Sequence, residues 1–170
     1  MPIVVFPDPI LKRQSRRVGK GDIARLDGLV ADMYETMREA PGVGLAAPQI
    51  GRNIRLFVAM IGDGEEENRE RVFINPSIIE RDGFDLGEEG CLSFPNLYGM
   101  VERAESITLR FNDAEFGERV EEFAGYPARI IQHEIDHLDG ILLNERAEEL
   151  YELVADDEDA ENDAVEEVRE

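Results

Sequence analysis

The sequence predicts an α+β domain in which antiparallel β-sheets surround a central helix carrying HEIDH, with one helix near the start and a short one near the end. Three observations predict it. Two segments repeat their apolar residues every three to four positions, the stretch between them is mainly strand-like, and the strands are not regularly interleaved with helices, which argues against a parallel sheet.

The elements follow in order. The opening MPIVVFPDPILKRQSRRV carries Pro2, Pro7 and Pro9 and reads as extended chain and turns around a short apolar strand, lying across the domain surface. From Asp22, the expected N-cap, Ile23, Leu26, Val30, Met33 and Met37 fall on one helical face that ends before Pro41. The glycines and prolines of PGVGLAAPQIG then predict a tight turn that approaches something closely. Strands are predicted at 54–61, 71–79, 105–112 and 118–124, with the charged loop GDGEEENRE joining the first two. At 127–138, Pro127 suits a first helical turn, Ala128, Ile131, Ile135 and Leu138 form an apolar stripe, and Gly140 supplies the stop. Leu150, Leu153 and Val154 predict a last short helix, and DDEDAENDAVEEVRE is too charged to pack and is expected to be disordered.

At 170 residues the chain fits one domain. No segment has the roughly 20 apolar residues that cross a bilayer, and no early stretch has the form of an export signal. Cys91 is the only cysteine, so no internal disulfide forms and a reducing cytoplasm suits the chain best. The net charge of -21 disfavours direct binding to nucleic acid, which needs a basic face. Residues 145–170 hold 13 acids against Arg146 and Arg169, so the C-terminus is an acidic appendage. Only Lys12 and Lys20 are lysines, against 16 arginines, a bias that fits a high-salt habitat and a GC-rich genome equally.

Both histidines, His133 and His137, stand in HEIDH. A spacing of four on a helix puts both imidazoles on one face, within reach of one metal ion, with Glu134 beside them toward a bound water. Two imidazoles rarely hold a catalytic metal alone, so a third ligand is required. No histidine follows, which leaves a downstream glutamate, Glu145 or Glu149, or the upstream Cys91 in EEGCLSFP. A lone cysteine is more often a small buried hydrophobe, and on the residues alone the choice stays open.

GVGLAAPQ at 42–49, EEGCLS at 88–93 and QHEIDH at 132–137 resemble, in order and separation, the three signature motifs of peptide deformylases. The resemblance runs from the PDP near the start to about residue 145 and implies a catalytic domain over 1–147, followed by a short helix and acidic tail over 148–170. It implies hydrolysis of the formyl group from N-terminal formyl-methionine of nascent polypeptides, releasing formate. Cys91, His133 and His137 would bind one divalent metal ion, Fe(II) in the native enzyme, with Zn(II), Ni(II) or Co(II) compatible with the same donors. Glu134 would be the general base, and the Gln49 side-chain amide and the Leu92 backbone N–H would stabilise the oxyanion. Val43, Gly44, Glu89, Gly90, Tyr126, Arg129 and Ile130 would surround the peptide and its methionine, with the Arg129 stem as a wall and its guanidinium reaching outward. Taken without the other motifs, GVGLAAPQ reads as a helix-to-strand turn with Gln49 solvated.

Two departures qualify the resemblance. Tyr98 stands where many relatives have arginine, and where some relatives dock on the ribosome through a basic C-terminal helix this tail is acidic, so ribosome proximity is expected to be transient. A zinc peptidase using a downstream glutamate, and a metal-binding protein without activity, are the rival readings.

Overall fold

The computed structural model describes residues 1–62 and 69–153. Its described elements are α1 (Ile23–Glu39), β1 (Gly44–Ala46), β2 (Leu56–Met60), β3 (Glu70–Asp82), β4 (Asp85–Cys91), β5 (Phe94–Arg103), β6 (Ser106–Asn112), β7 (Glu118–Ala124), α2 (Tyr126–Leu138), α3 (Leu143–Arg146) and β8 (Glu149–Glu152). Short 3-10 turns at Pro9–Lys12 and Ala47–Ile50 complete them. All strand pairings are antiparallel, in a five-stranded sheet ordered β1-β2-β3-β6-β7 and a three-stranded sheet ordered β4-β5-β8.

The period-two alternation of β-strands explains the layering, because successive side chains point to opposite faces. On β2, Phe57 and Ala59 face one apolar cluster with Phe73, Phe111, Ile131, Ile135 and Leu138. Leu56 and Val58 face another with Met33, Met37, Leu45 and Ile74. The five-stranded sheet therefore carries α1 on one face and α2 on the other, which is why β2 reads as a nearly unbroken apolar run. A third cluster, with Leu11, Phe94, Val101, Leu142 and Leu143, lies under the small sheet. The apolar stripe of α2 packs on the large sheet, which leaves His133 and His137 to face β4.

Several expectations change in detail. Asp22 sits at the N-cap of α1 without capping it: its carboxylate accepts the Gly19 N–H at 2.8 Å and pairs with Arg16. The opening is extended but forms no strand, and it is held by Val4 N–H to Gln49 O and Phe6 N–H to Ser93 O. The β4–β5 hairpin was not predicted, since DLGEEGC lacks apolar alternation. The last helix is corrected: residues 149–152 form β8, whose backbone pairs with Leu97–Met100 of β5, and the helical turn lies earlier, at α3. The loop at 63–68 and the tail from 154, with its expected disorder, lie outside the described residues. No helix among the described residues is long and apolar enough to cross a membrane.

Candidate metal centre

The stripe of α2 buries Ile131, Ile135 and Leu138 against the large sheet, so His133, Glu134 and His137 emerge on the flank facing β4. Cys91 ends β4 at the register shift where the hairpin turns into β5. Its sulfur lies 3.3 Å from His137 Nε2, and the two histidine Nε2 atoms are 3.2 Å apart. Around one tetrahedral zinc-like ion, typical bond lengths give nitrogen–nitrogen and nitrogen–sulfur edges of about 3.3 and 3.6 Å. The donor set thus fits a single cation. Among the described residues, these three form the metal-capable cluster of Cys, His, Asp and Glu.

The electrostatics agree. Burial alone would push the Cys91 thiol up, but His137 and His133 beside it hold it well below its ordinary value. Burial would push His133 down, yet Cys91 and Glu89 hold it well above. A thiolate facing two imidazoles is an arrangement in which a dication can take the place of protons. The other ring nitrogen of His133, Nδ1, meets Glu89 Oε2 at 2.8 Å, which fixes the ring orientation and leaves Nε2 for the metal.

Glu134 is 4% exposed, and its Oε2 has no protein partner. Burial, outweighing the nearby imidazoles, raises its carboxyl to about 7. Gly44 makes room for it: a Cβ there would come within 2.8 Å of Glu134 Cδ. At Gly42 a Cβ would meet Leu92 Cδ1 at 2.8 Å, so the glycines of the first motif serve approach between elements as well as access to the cavity.

Gln49 is buried, not solvated. Its Oε1 accepts the Ala46 N–H at 2.9 Å, while Nε2 donates to Ser93 Oγ at 3.1 Å and faces Cys91 Sγ at 3.8 Å. Ser93 donates in turn to Val4 O at 2.8 Å. A cavity of about 490 Å³ opens onto this group, lined by Val43, Gly44, Gln49, Glu89, Gly90, Cys91, Leu92, Tyr126, Arg129, Ile130, His133 and Glu134. His137 stands behind it, buried, and every other predicted site residue borders the cavity. Val43 and Tyr126 are exposed at its mouth and Ile130 is buried in its wall.

Arg129 departs from expectation. Its guanidinium turns inward, with Nη1 on Glu89 Oε1 at 3.0 Å and on Val101 O at 2.9 Å, because a buried carboxylate offers it better partners than solvent. Glu89 is likewise an ion-pair centre: Arg103 grips it through two bonds of 2.8 Å. Burial pushes its carboxyl up, but Arg103 and His133 outweigh this and hold it well below the usual range. The glutamates considered as third ligands are elsewhere, Glu145 on Lys12 and the Leu142 N–H, Glu149 exposed on β8. Sequence reasoning missed Ser93, Arg103, Asp136 and Arg146; only Ser93 and Asp136 carried a signal, as members of EEGCLS and HEIDH.

Residues 1–152 match the polypeptide deformylase family. The chain is 52% identical over 157 residues to the peptide deformylase of Thermus thermophilus, covering 85% of this chain and 81% of that one. It is 46% identical over 150 residues to that of Pelodictyon phaeoclathratiforme, covering 87% and 79%. The structure of the Thermotoga maritima peptide deformylase superposes with a TM-score of 0.79 at 40% identity, covering 85% of this chain and 95% of that chain. A class I type b peptide deformylase from Acinetobacter baumannii, solved with Met-Ala-Ser bound, superposes with a TM-score of 0.79 at 37% identity, covering 86% and 97%. The family match over residues 1–152 takes in the Cys91 strand and the HEIDH helix together, and the chain belongs to the peptide deformylases, metal-dependent hydrolases that remove the N-formyl group from nascent polypeptides.

Proposed function

We propose that this deformylation proceeds at Cys91, His133 and His137, which hold one divalent cation, with Glu134 as general base and with Gln49 and the Leu92 N–H as oxyanion donors. The observation that carries the reading is the convergence of one sulfur and two Nε2 atoms beside a buried carboxylate oxygen that no protein group satisfies. When bound, the cation supplies a Lewis acid that lowers the pKa of its water. Glu134 Oε2 accepts the proton of the attacking water and later returns it to the departing amine, so that water and formamide become formate and a free N-terminus. Gln49 suits the oxyanion because Ala46 and Ser93 fix its amide plane and its second NH₂ proton is aimed at the Cys91 sulfur, toward the metal centre.

The substrate is an N-terminal formyl-methionyl peptide, seated in the cavity between Val43 and Gly44 on one side and Gly90, Tyr126 and Ile130 on the others; Met-Ala-Ser in the Acinetobacter relative supports this choice. Glu89 and Arg129 shape its floor as an ion pair rather than as direct peptide contacts. The native ion is Fe(II), with Zn(II), Ni(II) and Co(II) accepted by the same thiolate and imidazoles. A thiolate ligand and a single cysteine support a reducing cytoplasm, and the acidic composition supports only transient ribosome proximity without direct RNA binding.

The test is formate release from formyl-Met-Ala-Ser by protein purified anaerobically, with metal analysis alongside. We expect about one iron per chain and turnover in the wild type, and loss of both metal and turnover in Cys91→Ala. Stoichiometric metal with undiminished hydrolysis in Cys91→Ala would overturn the ligand assignment, and zinc alone under strict anaerobiosis would overturn the choice of iron.

A further inference from the structure

A continuous chain of charged hydrogen bonds leaves the metal centre and ends at the surface, on an element that contributes nothing to the cavity. It begins at His133 Nδ1 on Glu89 Oε2. Glu89 is held in a fork by Arg103 Nε and Nη2, each at 2.8 Å. The remaining Arg103 nitrogen, Nη1, donates to Asp136 Oδ2 at 2.6 Å. Asp136 is gripped in a second fork by Arg146, Nε to Oδ2 at 3.0 Å and Nη2 to Oδ1 at 2.8 Å. Glu89, Arg103 and Asp136 are buried, and Arg146 is the member that reaches solvent, its side chain 42% exposed.

The circuit joins four elements: Glu89 on β4, Arg103 on β5, His133 and Asp136 on α2, and Arg146 on α3. Glu89 lies two residues from Cys91 on the same strand, so whatever fixes Glu89 against α2 also fixes the sulfur against the imidazoles. Bidentate guanidinium–carboxylate pairs are planar and directional, and burial denies each partner a water to turn to. Arg103 is the hub, committed through one rigid plane to both carboxylates. Removing Arg146 would leave Asp136 to Arg103 alone, drawing the guanidinium toward Asp136 and slackening its hold on Glu89.

We propose that Arg146 is a positioning residue of the metal centre, acting through Asp136, Arg103 and Glu89 to hold the His133 ring and the Cys91 strand in ligating register. The inference rests on the assignment of Cys91, His133 and His137 as ligands. Partners that touch a ligand directly are worth about 10- to 100-fold in metal affinity, and an effect relayed to Glu89 through Asp136 and Arg103 should be smaller, roughly three- to tenfold.

The experiment compares wild type, Arg146→Met, Arg146→Lys and Lys12→Met, each loaded with Co(II). Lys12 pairs with Glu145 on the same helical turn and touches neither Asp136 nor the cavity, so its variant loosens α3 without breaking the circuit. Affinity is measured by chelator competition, ligand geometry by the visible Co(II) bands, and fold by the Tm of the metal-free protein. Arg146→Met is expected to weaken Co(II) three- to tenfold and shift its bands, Arg146→Lys to restore part of both, and Lys12→Met to bind as wild type. Unchanged affinity in Arg146→Met, or equal weakening in Lys12→Met, overturns the proposal. Failure of the ligand assignment would show separately, as wild type without stoichiometric Co(II).

Discussion

A methyl group on Gly44 would overlap the Glu134 carboxylate, reaching 2.8 Å from Cδ and 3.0 Å from Cγ, so the first motif leaves space for that carboxylate. Glu134 is buried, and yielding to that methyl group would swing its carboxylate away from the proposed cation. Gly44→Ala should therefore lower kcat on formyl-Met-Ala-Ser at least about tenfold, since a displacement of about 1 Å in a reacting group can cost a hundredfold. Metal content should stay near wild type, because the three atoms nearest a Cβ at this position all belong to Glu134. Kinetics with metal analysis check it, and wild-type kcat would show that Glu134 is not the base or is not held by Gly44. At this scale the residues of the candidate centre were legible because HEIDH compresses both imidazoles and the carboxylate beside them into five positions. The circuit through Arg103 and Arg146 was not legible. Its ion pairs join residues 14 and 10 positions apart on different elements, and no local pattern marks which arginine will find which carboxylate.

Elements were legible where one periodicity dominated. α2 begins one residue before its predicted start and ends where predicted, because its stripe, Pro127 and Gly140 agree; Gly140 takes φ +71 as a stop requires. β6 likewise follows the alternation of Ile107, Leu109 and Phe111. β8 was misread because Leu150, Leu153 and Val154 have helical spacing, whereas the outcome is set by β5, whose free edge captures the segment. Tertiary pairing also decides the N-terminal arm. Asn75 on β3, at φ +50 and buried, accepts the Val18 N–H on Oδ1 at 2.8 Å and donates Nδ2 to Val18 O at 3.0 Å, imitating a strand partner. Asn75→Asp keeps the shape and the acceptor but removes the donor, leaving the Val18 carbonyl facing a carboxylate. A loss of about 1–3 kcal/mol follows from one unsatisfied buried bond. Burial and the facing carbonyl raise the new carboxyl, so its protonated form, which can donate, should recover part of the lost Tm as pH falls. Thermal unfolding of both proteins across pH 4–8, about the range over which such a carboxyl titrates, checks this; equal Tm values throughout would show that the arm is held by its apolar contacts instead.

For the whole molecule, the charge of -21 sets two electrostatic effects against each other. Exposed pairs such as Lys12–Glu145, Arg16–Asp22 and Arg38–Glu70 favour the fold and are weakened by salt, but each is worth only about 0–1 kcal/mol. The buried circuit around Glu89 is shielded from ions by the protein itself. Against the exposed pairs stands repulsion among the acids of the described residues, in a chain that carries 39 acids against 18 bases. That repulsion acts over distances that salt controls, as the screening length falls from about 30 Å at 0.01 M to about 8 Å at 0.15 M. Relief of many long-range terms should outweigh the loss of a few short ones. Tm should therefore rise with NaCl by several degrees between roughly 0.01 and 0.5 M, about 2–4 °C for each kcal/mol gained in a chain of this size. Most of the gain should come below 0.15 M, where the screening length changes fastest. Calorimetry of the metal-loaded protein at fixed free metal separates this from changes in ion binding. A flat or falling Tm would mean that the exposed arginine pairs act as a cooperative network, and that the acidic surplus is spread too widely to strain the fold.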